Sequence, residues 1–129
     1  TEALATFGLN WGMAFQIVDD TLDLTSAPEV LGKPIASDIH GGKITLPMII
    51  ALKEGTPSDQ ERLRRLLQEP EGRLEEIRAV LDRYNAIPAA LDIARSYSER
   101  AATALRVLPE SRAKRSLLEL TEFVTSRVR

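Results

Sequence analysis

Three carboxylates, Asp19, Asp20 and Asp23, lie close together in the run Phe15-Gln16-Ile17-Val18-Asp19-Asp20-Thr21-Leu22-Asp23. The surrounding pattern is helical. On a helix Gln16, Asp19, Asp20 and Asp23 are i, i+3, i+4 and i+7, so all four project from one face. Trp11, Ala14, Phe15, Val18 and Leu22 repeat the same spacing on another face, and Met13, Ile17 and Leu24 leave little room for solvent. Like charges one turn apart repel, and a carboxylate in apolar surroundings costs on the order of several kcal/mol unless a cation compensates it. A positive group is therefore expected beside them. Acid oxygens with no His or Cys among them suit a hard, oxygen-seeking ion, and Mg2+ is the first candidate.

Other chemistries fit less well. A general acid/base pair needs two carboxyls with separated pKa values, and no neighbouring feature separates them. A Ca2+ loop needs ligands alternating along a loop with Gly at its sixth position, which Thr21-Leu22 interrupt. An aspartyl-phosphate nucleophile is expected at a strand end, whereas this segment keeps helical period on both sides. A carboxylate rack holding Mg2+ against a diphosphate fits best. Taken alone, DDxxD is a short motif that an ordinary solvated acidic face also produces.

The following segment adds positive charge. After the acidic helix come Ser26-Ala27-Pro28, Leu31-Gly32-Lys33-Pro34, Ser37-Asp38 and Gly41-Gly42-Lys43, before an apolar helix opens at Ile44-Thr45-Leu46-Pro47. Lys33 and Lys43 are compact point charges of the kind that partners a diphosphate. A glycine beside each lets the backbone approach a ligand closely. Each Gly-Lys pair alone would be an ordinary turn; with the acid rack they make a metal-plus-phosphate constellation.

Together these residues resemble a known family. Gly12-x-x-Phe15-Gln16-x-x-Asp19-Asp20-x-x-Asp23, Leu31-Gly32-Lys33-Pro34, Ser37-Asp38 and Gly42-Lys43-Ile44-Thr45-Leu46-Pro47 are similar to the second aspartate-rich region of trans-type isoprenyl (polyprenyl) diphosphate synthases. Ala86-Ile87, Ala94-Arg95-Ser96-Tyr97 and residues 104–109 resemble that family's tail more weakly. The resemblance implies an all-α, isoprenoid synthase-type helical bundle, with residues 1–129 as its C-terminal part. It implies a Mg2+-dependent prenyltransferase that extends an allylic diphosphate with isopentenyl diphosphate, usually as a homodimer in the cytoplasm. By the same resemblance Asp19 and Asp23 are direct metal ligands and Asp20 lies in or next to the metal shell. Lys33 and Lys43 grip the allylic diphosphate, Gln16 lines the cation region, and Asp38 stands behind the metal ligands. Gly8 and Gly12, on the carboxylate side of the helix, leave space for an isoprenoid chain; close helix packing is the alternative.

The family's first aspartate-rich motif and its isopentenyl diphosphate-binding residues have no counterpart here. The expectation is a C-terminal portion of a chain more than twice as long, inactive in isolation. Two rivals share the helical scaffold. A class I terpene cyclase shares the ionisation, but its second metal motif mixes Asn/Asp, Ser/Thr and Glu. A non-catalytic partner subunit of a prenyl synthase would keep the helices. Product length and the preferred primer are not encoded in these residues.

The elements that must position the aspartates are helices. The pattern predicts a helix over residues 2–24, a loop over 25–42 whose length suggests function, and a short apolar helix over 45–53 stopped by Gly55 and Pro57. Ser58 with Glu61 reads as a capping box opening a polar helix to about residue 68. A helix over 71–84 follows, ended by Asn85 in the left-handed region. Pro88 sits in the first turn of a helix running to about 108, and Pro109 starts the last, with Leu117, Leu118, Leu120, Phe123 and Val124 inward. Arg62, Arg64 and Arg65 read as a solvated face. Arg112, Lys114 and Arg115 read as surface, with approach to a diphosphate or an anionic membrane as the functional alternative; Arg127 and Arg129 also read as surface, with closure of a site mouth as theirs. His40 reads as a loop residue.

Composition agrees. The chain has 129 residues, 43% hydrophobic and 28% charged, enough for one compact domain. A net charge of −2 argues against a nucleic-acid surface, and the absence of Cys excludes disulfides and thiolate metal sites. No apolar run approaches the ~20 residues needed to span a membrane.

Overall fold

The acidic motif lies on one uninterrupted helix, α1, Glu2–Thr25. A computed structural model describes residues 2–25 and 44–127. The other helices are α2 (Leu46–Glu54), α3 (Pro57–Gln68), α4 (Leu74–Arg83), α5 (Ala86–Ala104), which ends in a 3-10 turn at Leu105–Val107, and α6 (Arg112–Ser126). No strand occurs among the described residues, so the all-α expectation holds. Among them no helix is long and apolar enough to cross a membrane. Most of the expected loop, and with it Lys33, Asp38, His40 and Lys43, lies outside the described residues.

The chain divides into two compact units, Thr1–Val18 with Leu91–Arg129, and Asp19–Ala90. In the second, Leu24 from α1 joins Met48, Ala51, Leu63, Leu66, Ile77, Val80, Leu81 and Ala86 in one buried cluster. Each large aliphatic side chain taken out of water there contributes roughly 1.5–3 kcal/mol. Leu24 is the last buried apolar residue of α1, so this cluster fixes the end of the helix that carries the aspartates. In the first unit Phe7, Ala101 and Leu105 form a smaller cluster, with Trp11, Ala104, Leu108, Leu117 and Leu118 packed against it.

Local signals set the connections, and several differ from the sequence expectation. The polar helix α3 is capped by Thr56 rather than Ser58: Thr56 Oγ1 accepts from the Asp59 N–H at 3.2 Å, and Pro57 takes the first helical position, where its missing N–H costs nothing. Gly55 is required by close approach, since a Cβ there would stand 2.7 Å from the Ala51 carbonyl oxygen. Asn85 adopts φ 50°, as expected for a left-handed helix end. Pro88 does sit in the first turn of α5. The last helix starts at Arg112, three residues after Pro109, because Ser111 Oγ accepts from the Lys114 N–H at 3.0 Å and caps it. Val124 is fully buried, but Leu120 and Phe123 are 40% and 53% exposed, so the buried arc of α6 is narrower than its apolar arc.

Candidate functional site

The four polar residues of α1 differ in exposure along the helix. Gln16 is exposed, Asp19 is half-buried, and Asp20 and Asp23 are buried. Ala14, Ile17, Val18 and Leu24 are buried around them, as the apolar spacing predicts, while Met13 is exposed. Asp20 and Asp23 are thus largely shielded from water, whereas Asp19 keeps part of its surface exposed.

The end of the helix is secured in two ways. Arg78 Nε on α4 donates to the Leu24 carbonyl, and Thr25 Oγ1 donates to the Leu22 carbonyl at 3.3 Å. Both supply partners to last-turn carbonyls that have none inside the helix. A cation also complements the negative end of the helix dipole. Arg78 is a contributor that sequence reasoning did not find: it lies 54 residues from its acceptor and sits in an unremarkable polar helix.

The all-oxygen donor set suits a hard divalent ion that shares its shell with water and ligand oxygens rather than a closed protein cage. Among the described residues no group of three or more His, Cys, Asp or Glu is gathered closely enough to hold a metal by itself. Mg2+ keeps several waters and is typically bound through one or two carboxylates plus substrate phosphates, so a complete protein shell is not required. Asp19 and Asp23, one turn apart on α1, match that demand. Thr45, two positions beyond Lys43, is a further candidate that the sequence reading did not single out. Its side chain is buried, and its Oγ1 has no hydrogen-bond partner among the described residues.

The stretch of α1 before the aspartates carries an aromatic assembly. Trp11 and Phe15 stack with ring centroids 5.1 Å apart, and Trp11 Nε1 donates to the Leu120 carbonyl at 3.0 Å. The Arg127 guanidinium lies 5.1 Å from the Phe15 ring centre and 5.9 Å from that of Phe123. Contacts of this kind contribute about 0.5–1 kcal/mol each at exposed sites. Arg127 is therefore not simply a solvated surface charge. Lys114 also departs from the surface reading: it is 9% exposed, and its Nζ donates to the Leu108 carbonyl at 2.9 Å and to Glu110 at 3.0 Å. Arg62, Arg64 and Arg65 do form an exposed face, paired with Glu76 and Glu61 at 3.3 to 3.9 Å.

A Cβ on Gly8 or Gly12 would meet nothing within 4 Å among the described residues.

The described residues thus form an all-helical scaffold in which one helix presents a buried aspartate pair and a third, half-buried carboxylate. The polyprenyl synthetase family model matches residues 1–84, and the chain belongs to that family. It is 36% identical over 127 residues to heptaprenyl diphosphate synthase component 2 of Bacillus subtilis, covering 98% of this chain and 36% of that protein. It is 40% identical over 126 residues to the short chain isoprenyl diphosphate synthase of Methanothermobacter thermautotrophicus, covering 97% and 39%. Among solved structures it superposes on polyprenyl synthase from Caulobacter crescentus, complexed with calcium and isoprenyl diphosphate. That match has a TM-score of 0.84 at 36% identity, covering 97% of this chain and 39% of the other. Geranylgeranyl pyrophosphate synthetase from Pyrococcus horikoshii gives a TM-score of 0.83 at 36% identity, covering 96% and 38%. The chain spans 36–39% of the length of these relatives. The fold is the isoprenoid synthase-type helical bundle.

Proposed function

We propose that the complete protein condenses isopentenyl diphosphate with an allylic diphosphate to make a longer polyprenyl diphosphate. The observation that carries this reading is the burial of Asp20 and Asp23 beside half-buried Asp19 on α1, within the segment matched by the family model. Asp19 and Asp23 bind Mg2+ directly, and Asp20 completes the negative field beside them. Lys33 and Lys43 hold the allylic diphosphate as point charges. Gln16, exposed one turn before Asp19, lines the region where the allylic cation forms. When bound, Mg2+ acts as a Lewis acid on the charge that grows on the departing diphosphate. The allylic C–O bond breaks with its electron pair leaving on the diphosphate, the isopentenyl double bond attacks the cation, and a proton is lost. The calcium and isoprenyl diphosphate named for the Caulobacter crescentus structure support a divalent ion and a diphosphate ligand.

We read the protein as a cytoplasmic homodimer on the strength of the family resemblance. The Bacillus subtilis relative is named as a component 2, which supports assembly with a different chain as the second reading. A terpene cyclase is not favoured, because the relatives are named as prenyl diphosphate synthases.

The test is incorporation of labelled isopentenyl diphosphate by the complete chain with each allylic primer and Mg2+, products being resolved by length. A ladder ending at one length establishes the synthase and names its product. No incorporation by folded protein overturns the reading, and hydrocarbon released from a labelled primer selects the cyclase.

A further inference from the structure

We propose that Arg127 is a positioning residue for prenyl transfer, acting through Phe15 on the turn of α1 that presents Gln16. The inference rests on the prenyltransferase reading above. Four side chains carry it. The Arg127 guanidinium, on the residue that follows α6, reaches the rings of both Phe15 and Phe123, at 5.1 and 5.9 Å. Phe15 in turn stacks on Trp11, whose indole N–H is fixed to the Leu120 carbonyl one turn back on α6. The last turns of α6 therefore grip α1 at positions 11 and 15, one turn apart on the same face.

Two grips one turn apart oppose rotation of a helix about its own axis, which a single contact cannot do. Gln16 follows Phe15 directly, so the azimuth of α1 at that turn contributes to where it points. The aspartates continue along the same helix. A small error in azimuth displaces a side-chain tip by an ångström or more, and a misplacement of that size can cost on the order of 100-fold in rate. Arg127 suits this task because a flat guanidinium stacks on aromatic rings while its charge stays partly hydrated. Lysine also supports a cation–π contact, though without the planar stacking.

The experiment compares the complete wild-type chain with Arg127→Ala, Arg127→Lys and Phe123→Leu. It measures kcat, KM for both diphosphates, Mn2+ binding by electron paramagnetic resonance, the unfolding midpoint and the near-ultraviolet circular dichroism of the aromatic stack. Arg127→Ala is expected to lower kcat about tenfold, weaken Mn2+ binding and alter the aromatic dichroism. KM for isopentenyl diphosphate should stay within about twofold of wild type on the same positional argument. Arg127→Lys should recover most of the loss, and Phe123→Leu should reproduce part of it. Wild-type kcat and Mn2+ binding in Arg127→Ala would overturn the inference. So would a loss that merely follows the unfolding midpoint and is equal in the lysine variant. A wild-type chain that transfers no prenyl group overturns the functional reading and this inference together, whereas an active wild type with an equally active Arg127→Ala overturns this inference alone.

Discussion

Arg78 Nε donates to the carbonyl of Leu24, joining the middle of α4 to the last turn of the helix that carries the aspartates. Because Leu24 follows Asp23 directly, this bond acts on the backbone that aims the most buried carboxylate of the motif. Arg78→Ala should lower stability by about 1.5–3 kcal/mol, the range for a hydrogen bond to a charged donor. Arg78→Lys should recover only part, since the acceptor is matched to a rigid guanidinium. Denaturant unfolding of the two variants checks both statements.

Substitution at the acid rack should act on chemistry more than on folding. Asp19→Ala in the complete protein is expected to cut the rate by about 100-fold or more, the scale set by removing one electrostatic contact to a reacting group. The Mg2+ concentration for half-maximal rate should rise. A Mg2+ titration of initial rates tests this, and near wild-type turnover would remove Asp19 from the metal site.

Tyr84 ties α4 to the start of α3. Its hydroxyl donates to Asp59 Oδ2 at 2.5 Å and accepts from the Thr56 N–H at 3.1 Å, while Arg83 reaches Asp59 Oδ1 at 2.6 Å. The Tyr84 hydrogen bond first, and Arg83 after it, hold the Asp59 carboxyl below its ordinary value of 3.8. A carboxyl with a depressed folded-state pKa adds stability that is fully present above the unfolded value and is lost as pH falls through the folded one. Tyr84→Phe should therefore bring acid unfolding in at a higher pH than in the wild type. Unfolding midpoints measured from neutral pH down to below 3.8 give the comparison.

Gly12 offers a prediction of opposite sign for stability and function. A Cβ there meets nothing within 4 Å among the described residues, so Gly12→Ala should stabilise α1 by roughly 0.5–1 kcal/mol. If an isoprenoid chain runs along this face, larger residues at Gly12 should shorten the longest product. Thermal unfolding and product length on the same variants separate the two effects, and unchanged product with Gly12→Leu would remove this face from the chain's path.

The acidic helix was legible because period and chemistry coincide there: the apolar positions Ala14, Ile17, Val18 and Leu24 are buried as their spacing demands. The ends of helices were less legible. Thr56 and Ser58 both have capping side chains, and only Pro57 in the first helical position decides for Thr56. Pro109 lies in the connection before the last helix rather than opening it, because Ser111 offers the cap. The grips of Arg78 on Leu24 and of Arg127 on Phe15 join residues 54 and 112 positions apart, and no local pattern encodes such a meeting. The expected roles of Lys33 and Lys43 lie outside the described residues.

The burial of Lys114 has a practical consequence for reading those two lysines. The chain holds four lysines, Lys33, Lys43, Lys53 and Lys114. With its amine bound to the Leu108 carbonyl and to Glu110, Lys114 should react slowly with acylating reagents whether or not a ligand is present. It is an internal reference within the molecule. Mass-spectrometric footprinting with and without inorganic diphosphate can thus be normalised in a single digest, and protection of Lys33 or Lys43 against that standard reports diphosphate contact without any turnover.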